Sequence, residues 1–181
     1  MGLFDFLKKD KRHYDPNNIT VKDLETGFVF EYDLRTWRVD QSASYDWGKG
    51  LFSREYKITD GKEWFFLSVD DEEEIFLTLT NKVMIRKVKE DLPDYIELNE
   101  APPSRLSFDG TDYILGEESP GYFKSGHPDE KGDCEEMISW DYFDESEKKY
   151  LNIEQWSERE FEAYVGVVIK PFEITNILPN D

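Results

Sequence analysis

Large apolar side chains alternate with polar ones along much of the chain, and an alternation of period two is typical of half-buried β-strands. The alternation is clearest at residues 28–32, 52–58, 75–80 and 161–169. The segment 64–69, Trp-Phe-Phe-Leu-Ser-Val, is apolar on both faces, so we expect it deep inside a sheet. The pattern therefore predicts an all-β protein with antiparallel strands.

Turn and connector signals separate these segments. Asp60-Gly61 lies between two of them and predicts a tight hairpin, because both residues tolerate a positive φ. Residues 89–104 carry three prolines among acids and predict a connector without regular structure. Residues 152–159 suit either a short helix or a turn, and we favour the turn.

The second half of the chain repeats the pattern of the first. A shift of 86 positions superposes Tyr56 on Tyr142, and Leu67 on Ile153. Chance is the alternative, because strand alternation has few variants. We predict a short leader at 1–12, then a single all-β domain at 13–181 with little helix. This domain would be an antiparallel β-sandwich or barrel built from two similar β-meander halves, at about 19–92 and 105–178. We expect the bulky residues of the two halves to share one apolar interior.

The amino-acid composition supports a fold of β-strands and limits the classes of partner that the protein can bind. The chain has 28 aromatic residues (13 Phe, 10 Tyr and 5 Trp), and such residues favour strands. It has 41 acids against 22 Lys and Arg, for a net charge of -19. That charge argues against nucleic acid as a partner and favours a basic protein surface or a polyamine. The acidity has a simpler explanation too, since it keeps a protein in solution.

The leader and the single cysteine suggest a location. No apolar run is long enough for a transmembrane segment, and the lone Cys134 fits a reducing cytoplasm. If the leader is helical, Leu3, Phe4 and Leu7 share one face ahead of several lysines. This face could make weak membrane contact or insert into a partner. Docking onto the rest of the chain, or a frayed end, is the alternative that we favour, because about ten residues are too few for a stable isolated helix.

Motifs for catalysis, metals and cofactors are missing from the sequence. The two histidines, His13 and His127, stand in no arrangement with a nucleophilic serine or cysteine. Neither the glycines nor the acids around Cys134 match a phosphate loop or a zinc site. We therefore expect no catalytic residue, no metal and no cofactor.

One cluster of aromatic and acidic residues could bind a ligand. Trp140, Asp141 and Tyr142 are consecutive, and we expect Trp156 and Glu158 to lie close by. Such rings can stack on a sugar or hold an organic cation. The alternative is that they fill the core. A carboxylate hydrolase that uses Asp141 or Glu158 is a further hypothesis.

Three segments resemble a known family: the opening Met-Gly-Leu-Phe-Asp-Phe-Leu-Lys-Lys, the block at 135–156, and Glu-Ala-Tyr-Val-Gly at 162–166. They are similar to the bacterial group called domain of unknown function 4178. The resemblance implies a bacterial cytoplasmic protein and supplies no catalytic residues. We predict a non-enzymatic binding or adaptor module with an acidic surface. A small-ligand or carbohydrate-binding β-domain and a carboxylate hydrolase are the alternatives.

Overall fold

The computed structural model describes residues 14–15, 18–71, 74–127 and 132–179. The predicted leader, with Leu3, Phe4 and Leu7, lies outside the described residues. Its proposed contacts stay a prediction.

In the described residues, eleven strands form one antiparallel sheet. In chain order they are β1 (Val29–Tyr32), β2 (Arg35–Gly48), β3 (Leu51–Thr59), β4 (Trp64–Asp70), β5 (Phe76–Val83), β6 (Arg105–Phe108), β7 (Thr111–Ser125), β8 (Glu135–Phe143), β9 (Lys149–Ser157), β10 (Glu160–Ile169) and β11 (Thr175–Leu178). Two short α-helices in the same described residues, α1 (Ile85–Val88) and α2 (Leu92–Asn99), lie between β5 and β6. Neither is long and apolar enough to cross a membrane.

Eight of these described strands close into a ring, in the order β2-β3-β4-β5-β10-β9-β8-β7. The ring closes where Ala43 to Asp46 of β2 pair with Tyr122 to Ser125 of β7. At the opposite side, β5 pairs with β10 over seven residue pairs. The fold is a β-barrel, which confirms the prediction of an all-β antiparallel protein with little helix.

The strand order is that of two consecutive meanders, β1 to β5 and β6 to β10. Thr80 and Gly166, which the shift of 86 positions superposes, lie directly opposite each other where the two meanders meet. Gly166 is required at this position, because an added Cβ would lie 1.9 Å from the carbonyl oxygen of Leu79. The order fits a duplication, which itself stays a prediction.

The barrel strands turn their polar face inward. On β9, Leu151 and Ile153 are fully buried in an apolar cluster, whereas Asn152 and Glu154 face the interior of the barrel. The same alternation holds on β5, where Leu77 belongs to an apolar cluster and Thr78 lines the interior. The expectation of one shared apolar interior was therefore wrong. Polar and charged side chains, together with several aromatic ones, line the space that the two halves share.

Two apolar cores among the described residues lie on the outer face of the barrel, one for each meander. The first contains Phe28, Phe30 and Trp37 and packs against β3, β4 and β5. The second contains Leu92 and Ile96 of α2 and packs against β8 and β9. Each core is large enough to hold its strands by burial of apolar surface, so the barrel does not depend on an apolar interior.

Three local predictions had different outcomes. The hairpin at Asp60-Gly61 exists between β3 and β4, but its loop spans residues 60–63 rather than two residues. The predicted connector at 89–104 contains α2, which carries Pro93 in its first turn. A proline is tolerated there because the first backbone N–H groups of a helix have no intrahelical partner. The turn expected within 152–159 is wrong for most of that range, since β9 continues to Ser157.

Candidate functional site

A cavity of about 480 Å³ occupies the interior of the barrel. All eight strands of the described ring contribute side chains to its wall. The volume is within the range of about 300–1,000 Å³ that is typical of small-molecule sites. Because the polar faces of the strands converge on it, the cavity is the main candidate for a functional site.

The wall of the cavity is acidic. Among the described residues it includes six acids and a single base, Lys49. The acids are Glu55, Asp70, Glu117, Glu118, Asp141 and Glu154. Glu118 is an exception among them, because its carboxylate accepts a hydrogen bond at 2.9 Å from the indole N–H of Trp140 on the outer face of β8, so its charge points away from the cavity. The cavity thus concentrates negative charge, which favours a cationic guest.

Glu154 is the most deeply placed of these acids. The residue is 6% exposed, and its Oε2 atom has no hydrogen-bond partner among the described residues. Burial raises the pKa of Glu154 well above its usual range, the nearby Glu55, Glu162 and Asp141 raise it further, and the Trp156 indole N–H acts in the opposite direction. A buried carboxylate oxygen without a donor is costly, so a functional reason for it is required.

Glu55 faces the same part of the cavity from β3. Burial raises its pKa from 4.5 to about 7, although the hydroxyl of Tyr45, which donates to Oε1 at 3.3 Å, acts in the opposite direction. The negative charge of Glu162 adds to the rise, and Lys82 lowers the pKa. Glu55 and Glu154 are thus held close together with insufficient positive charge to balance them.

Asp141 occupies a different position, on β8. Its Oδ1 atom accepts three hydrogen bonds: from Tyr150 Oη at 2.6 Å, Asn152 Nδ2 at 2.7 Å and Ser139 Oγ at 3.2 Å. Burial raises its pKa, and these three donors partly oppose the rise. The donors fix the carboxyl group through one oxygen and leave the other available to a guest.

An ammonium group of the chain itself is held near Glu154. Glu162 lies directly opposite Glu154 in the β9–β10 pairing and forms an ion pair with Lys82. The Lys82 ammonium lies 6.0 Å from the centre of the Tyr164 ring, and the Tyr164 hydroxyl donates to Glu162. A carboxylate and an aromatic ring together are a common means of holding an ammonium group.

Four aromatic side chains form a continuous group where β2 pairs with β7, because Tyr45 also contacts Phe123 at 5.4 Å. Tyr45 stacks on Trp47 with ring centres 5.3 Å apart, and Phe123 contacts Trp156 edge-on at 5.0 Å. Elsewhere Phe143 lies 6.0 Å from Phe76, although β5 and β8 are not neighbours in the sheet. The contact between Phe143 and Phe76 therefore crosses the interior of the barrel and narrows the barrel at this point.

The structure separates the four predicted ligand-binding residues. Trp140 and Tyr142 are fully buried in the second apolar core, and the Tyr142 hydroxyl donates to the Pro103 carbonyl oxygen at 2.8 Å. Of the four residues, Asp141 alone contributes to the cavity wall, because neighbours on a strand point to opposite faces. Trp156 packs against Phe123.

The sequence reasoning missed Glu55 and Glu154. Glu55 stands at a polar position of an alternating strand, and Glu154 lies in the segment for which we favoured a turn, so neither residue was singled out. The closed ring makes those positions interior ones. A usable signal was present at 150–154, where Tyr, Asn and Glu occupy every second position of an otherwise apolar strand.

The described residues contain no group of three or more His, Cys, Asp or Glu side chains placed to hold a metal ion. The family described as domain of unknown function, DUF4178, matches residues 25–171. The chain belongs to this family. The match confirms the resemblance noted from the sequence.

One relative is similar to this DUF4178 member along almost the whole chain. The chain is 24% identical over 188 residues to an uncharacterized protein of Aquifex aeolicus (strain VF5). The alignment covers 99% of this chain and 99% of that protein. No solved structure is similar to the chain. The function of this DUF4178 member has to be argued from its cavity.

Proposed function

We propose that the protein binds a small organic cation inside its barrel. The observation that carries this proposal is Glu154, a buried carboxyl group with an unpartnered oxygen in the wall of an acidic cavity. A bound ammonium group would donate hydrogen bonds to that oxygen and balance the charge of Glu55 and Glu154. It would also contact the ring faces of the tyrosines in the wall.

This proposal combines two expectations from the sequence, a polyamine partner and a small-ligand β-domain. It moves the recognition from an acidic outer surface to the interior, so a basic protein surface is a less suitable partner than a small amine. We propose a binding role without catalysis. We also propose a cytoplasmic location, which the free and exposed thiol of Cys134 supports.

Thermal unfolding with a simple amine tests the proposal. At an n-pentylamine concentration ten times its Kd, we expect stabilisation by about 1.4 kcal/mol. For a protein of this size, that corresponds to a rise in Tm of about 3–6 °C. Pentan-1-ol, which lacks the charge, should give no comparable rise at the same concentration and ionic strength.

Two glutamine variants make the test specific. Glu154→Gln should abolish the rise in Tm, because the amide cannot balance an ammonium charge. Glu145→Gln, at an exposed position in the turn between β8 and β9, should keep it. An equal response of both variants would show that the amine acts through the general acidity of the protein, and the proposal would fail.

A carboxylate hydrolase is the second candidate. A specific observation favours it: Glu55, with a pKa raised to about 7, faces the cavity together with Glu154. Of the two residues named from the sequence, Asp141 lines the cavity, and Glu158 lies exposed in the turn between β9 and β10. Release of a chromophore from aryl glycosides by the wild type, and not by Glu55→Gln, would support this candidate.

A further inference from the structure

The cavity contains two separate positions for a cationic group. Asp141 lies opposite Asn152 in the β8–β9 pairing, and Glu154 is the next residue of β9 on the same face. Asp141 and Glu154 are therefore diagonal neighbours, whose backbone positions on adjacent antiparallel strands are roughly 7–8 Å apart. Ser139 and Asn152 lie between the two acids on the same face, so the carboxyl groups form two positions.

The two positions are built differently. Asp141 is fixed by three donors on Oδ1, and none of the described residues donates to Oδ2. Glu154 instead has an unpartnered Oε2 and shares its surroundings with Glu55. Each position can thus receive a donor from a guest, and the two do not compete for the same one.

The charge near Glu154 is incompletely balanced by the chain. Glu154 is faced by Glu55 from β3 and by Glu162 from β10, and the ammonium group of Lys82 on β5 pairs with Glu162. The other groups that face Glu154 are uncharged at neutral pH, except for Asp141, which forms the other cation position. These are Tyr45 from β2, Ser139 and Asp141 from β8, and Tyr164 from β10. A second ammonium group would balance Glu55 and Glu154 once they have released their protons.

A hydrocarbon spacer between the two positions has apolar surface beside it. Ser139 and Asn152 lie directly between the two carboxyl groups, and the Asn152 amide donates a hydrogen bond to the Ser139 hydroxyl. Tyr150 and Tyr164 flank Asn152 in the cavity wall, with Thr80 of β5 beside them. Ring faces and threonine methyl groups are apolar surfaces, so methylene groups can lie against them without the loss of a hydrogen bond.

We propose that the guest is an elongated dication, with one ammonium group at Asp141 and the other between Glu154 and Glu55. This inference rests on the proposed function and names its substrate class. The diagonal separation of roughly 7–8 Å suits a linear α,ω-diamine with about four to six carbons.

Calorimetric titration with a series of diamines tests the inference. The probes are α,ω-diaminoalkanes of two to eight carbons at pH 8, each compared with the monoamine of equal length. We expect the affinity to be highest at about five carbons and to exceed that of the monoamine about tenfold or more, because the second contact is intramolecular.

Variants of Asp141 test whether this residue binds one of the two ammonium groups of the diamine. Asp141→Asn should remove the advantage of the diamine over the monoamine of equal length, while the variant still binds the monoamine. Asp141→Glu, with one more methylene group, should shift the optimum to a shorter diamine. This variant keeps a carboxylate for Tyr150 and Asn152, so it tests the inference even if Asp141→Asn does not fold. Glu145→Gln should match the wild type.

The possible results distinguish a failure of this inference from a failure of the proposed function on which it rests. If monoamines bind through Glu154 as tightly as diamines do, the cation site stands and the dication inference is overturned. Affinity that rises steadily with chain length, without an effect of Asp141→Glu, also overturns it. If neither class of amine binds, the proposed function fails together with the inference.

Discussion

Glu55→Gln is expected to stabilise the free protein at pH 8 by on the order of 3 kcal/mol, since a shift of one pKa unit corresponds to about 1.4 kcal/mol. The pKa of Glu55 is raised from 4.5 to about 7 in the folded state, so charging this group opposes folding. Most substitutions destabilise a protein. A gain at this position would show that the carboxyl group is kept for a purpose other than stability.

The dependence on pH follows from the same shift. Below pH 4.5 Glu55 is protonated in both the folded and the unfolded state and has no effect. Between pH 4.5 and about 7 the folded protein holds a proton that the unfolded chain has released. The free energy of unfolding should therefore fall as the pH rises through this range and level off above it. Glu154, whose pKa is also raised, should add to the fall.

Urea unfolding of the wild type and of Glu55→Gln at several pH values between 4 and 9 measures this effect. As the pH rises, the free energy of unfolding of Glu55→Gln should decrease less than that of the wild type. The turn carboxylate Asp144, with a pKa lowered to about 2, should not interfere, because it loses its proton below this range. A variant less stable than the wild type at pH 8, with an unchanged pH profile, would contradict this interpretation.

Trp140→Ala is expected to destabilise the protein by about 3–5 kcal/mol, the usual cost of removing a buried tryptophan. The Trp140 side chain is fully buried among residues of the second core, and its indole N–H donates to Glu118. The substitution leaves a void and an acceptor without its donor. Urea unfolding with tryptophan fluorescence at pH 6 measures the loss.

Trp64→Ala is the matched control for Trp140→Ala. Trp64 is 43% exposed, and the Lys57 ammonium group lies over its ring, 5.0 Å from the ring centre. Its removal should cost about 1 kcal/mol or less. If Trp140→Ala were as stable as this control and lost amine binding, Trp140 would be a ligand contact, as the sequence alone suggested, and its assignment to the core would be wrong.

The architecture could be predicted from the sequence because strand alternation is a local property. The strands at 52–58 and 64–69 and the hairpin between them follow from side-chain type and from Gly61, whose φ is +89°. Helix α2 was missed because prolines suggest a break, although Pro93 lies in the first turn, where a helix accepts it. Local signals thus identified strands better than they identified this helix.

The site could not be predicted in the same way. Alternation shows that Asn152 and Glu154 share a face, but it does not show whether that face meets solvent or the inside of a barrel. Ring closure depends on the pairing of β2 with β7, between residues far apart in the chain. Asp141 was selected for its aromatic neighbours, which belong to a core on the other face of β8.

The central claim is that a cation enters the interior and displaces protons from buried carboxyl groups. Calorimetric titration of the wild type with 1,5-diaminopentane at pH 6.5, in two buffers with different enthalpies of ionisation, tests it most directly. The account predicts a heat that differs between the buffers and corresponds to release of about one proton for each amine bound. Binding with the same heat in both buffers would place the amine on the outer surface and contradict the account.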